Sequence, residues 1–116
     1  MRDLNFFSKI FIAVEPVDFR RQAQGLALLI ENRLQANLYS KRDLFVFTNK
    51  SKTAVKCVYW DQTGLAMWWK TLEKESFRWP KPQTGQSTHL VTAKELNWLL
   101  EGIDLFRLNR HKKIDF

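Results

Sequence analysis

Apolar residues change their spacing along the chain, and each change marks an element. Residues 10–14 are Ile, Phe, Ile, Ala and Val, a β-branched and aromatic run that predicts a short strand. Glu15 and Pro16 end it, because proline lacks the N–H a ladder needs and biases its predecessor away from helix. The period then lengthens. Phe19, Ala23, Leu26, Ala27, Ile30 and Leu34 recur at steps of three and four, which predicts a helix over residues 19–35 with Asp18 as its N-cap. Gly25 inside that helix costs about 1 kcal/mol relative to alanine, so a close neighbour is expected there.

The middle of the chain returns to a strand-like pattern. Residues 44–48, 54–60, 65–72 and 77–79 are short runs rich in Val, Phe, Tyr and Trp, separated by polar turns, with residues 67–72 open to either strand or helix. Turns this short make neighbouring strands antiparallel, because a parallel return needs a crossover of about a dozen residues. Gly64 is the residue expected to carry a positive φ in its turn. Residues 80–89 read as a loop containing His89. Thr92 and Glu95 then form a capping-box pattern, Leu96, Leu99 and Leu100 give an apolar stripe, and Gly102 is the stop. The fold expected is α+β: an antiparallel sheet of four to five strands, a long N-terminal helix packed on one face, and a C-terminal helix covering the other. It forms a single domain over residues 1–116, with its core at about 10–105 and a basic tail at 107–116.

Composition sharpens the function classes. The chain has 116 residues, and 19 Lys and Arg against 12 Asp and Glu leave a net charge of +7. At 45% hydrophobic and 14% aromatic it is a folded domain rather than a disordered basic tail. Its one cysteine, Cys57, excludes an internal disulfide and a Cys-rich zinc module, and fits a reducing compartment. Apolar runs are too short to span a bilayer and no signal-peptide pattern opens the chain, so a cytoplasmic protein without membrane contact is expected. The positive balance suits a polyanion or an acidic protein surface.

The chemistry-bearing residues argue against an enzyme. His89 and His111 have no partner at metal-ligand or triad spacing, and no phosphate-binding glycine loop or nucleophile elbow occurs. Cys57 shares a strand face with Val55 and Tyr59 and reads as a buried small hydrophobe. Asp61, Glu73 and Glu75 lie in predicted turns. No catalytic residue, metal ligand or cofactor is expected.

Binding leaves clearer traces. Strand alternation groups Lys56 with Val58 and Trp60, and Ala66 with Trp68 and Lys70, with Arg78 beside them on the last strand. Leu65, Met67 and Trp69 then point with Val55, Cys57 and Tyr59 into the core. One face so built carries Trp60, Trp68, Lys56, Lys70 and Arg78, cations beside flat rings that suit nucleic acid. The same tryptophans can equally be covered by a second layer or by another copy of the chain. Arg20 and Arg21 fall in the first turn of the predicted helix, where a bound phosphate or a nearby carboxylate would balance them. Arg110, Lys112 and Lys113 add charge in the tail.

Several stretches, in this order, carry a resemblance: residues 10–20 (IFIAVEPVDFR) with 25–27 (GLA), 44–49 (LFVFTN), 56–64 (KCVYWDQTG), 68–73 (WWKTLE), 77–80 (FRWP), and 96–104 ending in EGID. Together they resemble the second-open-reading-frame (TnpB-type) protein of the insertion sequence sixty-six family. The resemblance spans about residues 10–105. It departs at residues 50–53, without the usual Arg/Gly-rich turn, and at residues 74–76, without a glycine before Phe77. It implies a non-catalytic accessory protein of transposition, acting beside a separate transposase. The implied partners are DNA, at transposon ends or non-specifically, and that transposase, with self-association open. A protein-interaction module that never touches DNA is the alternative.

Overall fold

A strand without polar alternation needs cover on both faces, and the sheet is built around one. The computed structural model describes residues 3–32, 42–73, 75–81 and 85–102. A 3-10 turn at Leu4–Phe6 is followed by β1 (Lys9–Ala13), α1 (Ala23–Asn32), β2 (Asp43–Thr48), β3 (Ala54–Asp61), β4 (Gly64–Thr71), β5 (Thr88–Val91) and α2 (Ala93–Leu100). The five strands form one sheet in the order β4-β3-β2-β1-β5. Leu44, Phe45, Val46, Phe47 and Thr48 of central β2 are all at 0% exposure.

The sheet is mixed, not antiparallel as expected. β1 and β2 run parallel, Ile10 opposite Leu44, whereas β1–β5, β2–β3 and β3–β4 are antiparallel. The short-turn argument holds for β2–β3–β4. It does not apply between β1 and β2, because residues 14–42 separate them and include α1, enough chain for a crossover. Nor is there a long N-terminal helix over residues 19–35. The described helix has ten residues and begins at Ala23, and residues 33–35 lie outside those described. Asp18 does not cap it. Its carboxylate accepts from the backbone N–H of Arg20 and from the Arg20 guanidinium instead.

The two helices cover opposite faces, as expected of α2. Leu26 and Ile30 of α1 pack with Ala13, Val17, Phe45, Phe47 and Val58. Leu96, Leu99 and Leu100 of α2 join Ile10, Ile12, Leu44, Val46, Val55, Cys57 and Tyr59 on the other side. The capping box is present: Thr92 Oγ1 accepts from Glu95 N–H, and Glu95 accepts from Thr92 N–H. Gly102 closes α2 with φ +89°.

Two further expectations change. Residues 77–79 form no strand; Phe77 N–H bonds Lys52 O at 2.7 Å and Trp79 Nε1–H bonds Ala13 O at 2.9 Å, so both rings plug the α2-side core from a loop. Residues 88–91, read as loop and helix approach, are edge strand β5. The positive φ in the β3–β4 turn belongs to Gln62 (57°), not Gly64.

Trp79 is where the loop and the sheet are joined by one bond. Replacing it as Trp79→Phe keeps most of the ring and orphans the buried Ala13 carbonyl. The unfolding free energy should fall by about 1–3 kcal/mol in urea with an unchanged m-value; an unchanged midpoint would mean the indole N–H contributes nothing.

Candidate nucleic-acid interface

The β3–β4 register decides which side chains can act together. Lys56 lies opposite Trp69, Cys57 opposite Trp68, Val58 opposite Met67 and Trp60 opposite Leu65, and directly opposed residues share a face. Lys56, Val58, Trp60, Leu65, Met67 and Trp69 therefore lie on the α1 side. Trp68 and Lys70 lie on the α2 side with Val55, Cys57 and Tyr59. The expected platform of Trp60, Trp68, Lys56, Lys70 and Arg78 is not formed. A register one residue away from that expectation sends alternate β4 side chains to the opposite face. Trp60 and Trp68 are each half-buried, on opposite sides of the sheet. Lys70 Nζ donates to Leu100 O at 3.1 Å, at the end of α2.

Lys56 is not a surface cation. It has 0% exposure. Its Nζ donates to Phe19 O at 2.8 Å and Arg21 O at 2.9 Å. It also sits 4.8 Å from the Phe19 ring centroid and 4.5 Å from that of Trp69. Burial pushes its pKa below the ordinary lysine value, and the charge of Asp18 pulls it partly back. Lysine buried without a carboxylate on its ammonium is rare, and here two neutral carbonyls and two aromatic faces replace one.

That ammonium organises the connector from which the arginines project. Arg20, with its side chain 91% exposed, forks onto Asp18, with Nη2 to Oδ2 at 2.5 Å. This hydrogen bonding, above all, holds the Asp18 carboxyl down to about 2. Arg21 is exposed, and its stem lies where a Cβ at Gly25 would meet it at 3.3 Å. The close neighbour expected at Gly25 is thus Arg21. Its chain, with Leu28, Leu29 and Asn32, lines a shallow groove of about 450 Å³ along α1. Arg78 is exposed between Phe77 and Trp79. Arg110, Lys112 and Lys113 lie outside the described residues.

Trp69 is another residue that the sequence reading placed wrongly. Expected in the core, it is 53% exposed on edge strand β4. It stands edge-on to Phe19, centroids 6.2 Å apart at 87°. The signal that could have found it is the cross-strand pairing of an interior lysine with an aromatic, which follows once β3 and β4 are joined by the short Gln62–Thr63 loop.

The remaining chemistry is sparse. Cys57 is fully buried and its thiol is pushed up to about 12. His89 lies on β5 rather than in a loop. Among the described residues no three His, Cys, Asp or Glu side chains gather to hold a metal ion, and no helix is long and apolar enough to cross a membrane.

The model of a family described as IS66 Orf2 like protein matches residues 8–110 of the chain. The uncharacterized protein y4jC of Sinorhizobium fredii is 36% identical over 102 residues, covering 88% of this chain and 85% of that protein. The uncharacterized protein y4hO of the same organism is 30% identical over 96 residues, covering 83% and 81%. No solved structure matches.

Two measurements check this geometry. Lys56→Met removes the donor from two carbonyls and should lower the unfolding free energy by about 1–3 kcal/mol. Because the folded-state pKa of Lys56 lies below the unfolded value, the unfolded state binds more protons just below pH 10.5. Wild-type stability relative to Lys56→Met should therefore rise as the pH approaches 10.5 from below, and urea midpoints that keep a constant gap would contradict the burial. Cys57 should resist a thiol reagent in the native state and react on unfolding; labelling at the rate of a free thiol would place it at the surface.

Proposed function

The chain belongs to the IS66 Orf2-like family, and from that premise we propose that it is a non-catalytic accessory protein of insertion-sequence transposition that holds DNA by its phosphates. The accessory role follows from the family; DNA contact is the further step. What supports it is a local excess of positive charge. Lys56, Arg20 and Arg21 converge on one connector, Asp18 is the acid that hydrogen-bonds there, and the Lys56 ammonium rests on uncharged acceptors. A charge left uncancelled beside exposed arginines attracts an anion. The net charge of +7 acts in the same direction over longer range.

Arg20 and Arg21 are the proposed phosphate contacts, with Arg78 and the tail residues Arg110, Lys112 and Lys113 as further cations. Lys56 acts by holding the connector, and Lys70 by holding the end of α2. Trp60 and Trp68 drop out as a joint platform. The cytoplasm is the proposed compartment and the transposase of the same element the second proposed partner. A protein contact is favoured by one observation, the exposure of Leu28 on α1 and Leu90 on β5, at 56% and 59%; either apolar side chain could anchor the transposase or a second copy.

Filter binding of duplex DNA across a salt series tests the reading. With about four phosphates neutralised, log K should fall against log salt with a slope near −3.6, and Arg20→Ala with Arg21→Ala should reduce its magnitude by roughly 1.8. Failure to retain DNA at low salt rejects phosphate binding, while an apolar protein interface would survive the salt that strips DNA away.

A further inference from the structure

The charged connector lies directly against an indole that the phosphate-binding reading leaves unused. Among the described residues, the large hydrophobic side chains that stand exposed are Leu28, Leu90 and Trp69, so Trp69 is the aromatic of the three. It belongs to β4, the outermost strand on its side of the sheet. The ring is not a loose surface residue. The Lys56 ammonium lies 4.5 Å from its centroid and Phe19 meets it edge-to-face. The same ammonium bonds the carbonyls of Phe19 and Arg21 at 2.8 and 2.9 Å. One buried cation therefore touches both the backbone that carries Arg20 and Arg21 and the ring beside it.

From this we infer that Trp69 is a stacking site for an unpaired nucleobase, whose adjoining phosphates meet Arg20 and Arg21. The inference rests on the phosphate-binding reading and specifies strandedness within it. Three physical facts lead to it. An indole fixed by neighbours loses little conformational freedom when a ligand stacks on it, and base–aromatic stacking tolerates any base. A base inside a duplex has both faces covered by its neighbours, so an indole on a sheet edge meets a base face only when that base is unstacked. The surroundings are net cationic, so the ligand that covers this ring must bring negative charge as well as a flat apolar face. A nucleotide carries both. An apolar protein segment would bury the indole but bring the arginines no anion beyond Asp18.

The probe is a fluorescein-labelled thymidine oligonucleotide of about ten residues, compared with a duplex of equal length by fluorescence anisotropy at one low salt concentration. Wild type should bind the single strand more tightly. Trp69→Ala should weaken single-strand binding by about 5- to 100-fold and leave duplex binding nearly unchanged, with Trp69→Phe intermediate. Far-UV circular dichroism and urea midpoints verify that the variants fold. As a measurement on the unaltered chain, an oligonucleotide carrying 5-iododeoxyuridine should photocrosslink to Trp69, located by tandem mass spectrometry.

Outcomes separate the two readings. Binding of both DNAs with equal affinity, unaffected by Trp69→Ala, overturns base stacking and leaves phosphate binding intact. Equal loss on single strand and duplex makes Trp69 a part of the folded frame and also overturns the stacking site. Crosslinks confined to other residues do the same. No binding of either DNA overturns the phosphate reading itself.

Discussion

A lysine ammonium removed from water must find its hydrogen bonds and its compensating charge inside the protein, and this requirement at Lys56 shapes one whole side of the fold. Lys56 has 0% exposure on β3, where an apolar residue would satisfy the α1-side core at no electrostatic cost. Desolvation is only partly offset by two carbonyls, two aromatic faces and the field of Asp18. Every one of those compensations constrains the chain. The carbonyls belong to Phe19 and Arg21, so the stretch between β1 and α1 is pinned to the sheet where it has no ladder of its own. Val17 N–H to Thr48 O at 2.8 Å and Val14 N–H to Ser87 O at 3.1 Å hold its beginning. Lys56 holds its end, and with it the point from which α1 departs.

The consequence for charge is equally direct. Had Lys56 been paired with a further carboxylate, the excess positive charge beside Arg20 and Arg21 would be smaller by one. With uncharged acceptors, the positive charge remains and is felt at the surface through Phe19 and Trp69. Low local polarity strengthens that field relative to water. The same arrangement keeps Trp69 from collapsing onto the core: the space beneath its ring is occupied by an ammonium rather than by an apolar side chain.

Local patterns made much of the fold legible, and pairing choices hid the rest. Runs of Val, Phe and Tyr marked β1 to β4 to within a residue or two, Thr92 and Glu95 marked the start of α2, and Gly102 marked its end. These are decided by residues close in sequence. Parallel pairing of β1 and β2 depends instead on the long stretch of chain between them, residues 14–42, which is enough for a crossover. β5 was concealed because Thr-His-Leu-Val at an edge buries only Val91, leaving no alternation to read. Phe77 and Trp79 look like strand residues because both are buried with Arg78 exposed between them, yet that alternation comes from a loop plugging the core. Arg20 and Arg21, candidates from the sequence, are exposed, whereas Trp69 and Lys56 were exchanged between interior and surface. A shift of one residue in the β3–β4 register brought Trp69 to the Lys56 face, since the side-chain period along a strand is two, and Lys56 itself is buried because α1 and the connector cover that face.

Asp18 explains how such a site can be both stable alone and open to an anion. Its carboxylate accepts from the Arg20 guanidinium at the surface, where an ion pair contributes little because water solvates both partners well. Exchanging that carboxylate for a phosphate at Arg20 therefore costs little, and the freed Asp18 remains hydrated. Lys56 has no such freedom, because leaving its carbonyls would strand them in the interior. The connector thus combines one cation that cannot move with another that can change partners, next to a ring already held in place. Under the proposed phosphate binding, affinity in that arrangement would come from a few weak, salt-sensitive contacts at Arg20 and Arg21 rather than from Lys56 itself.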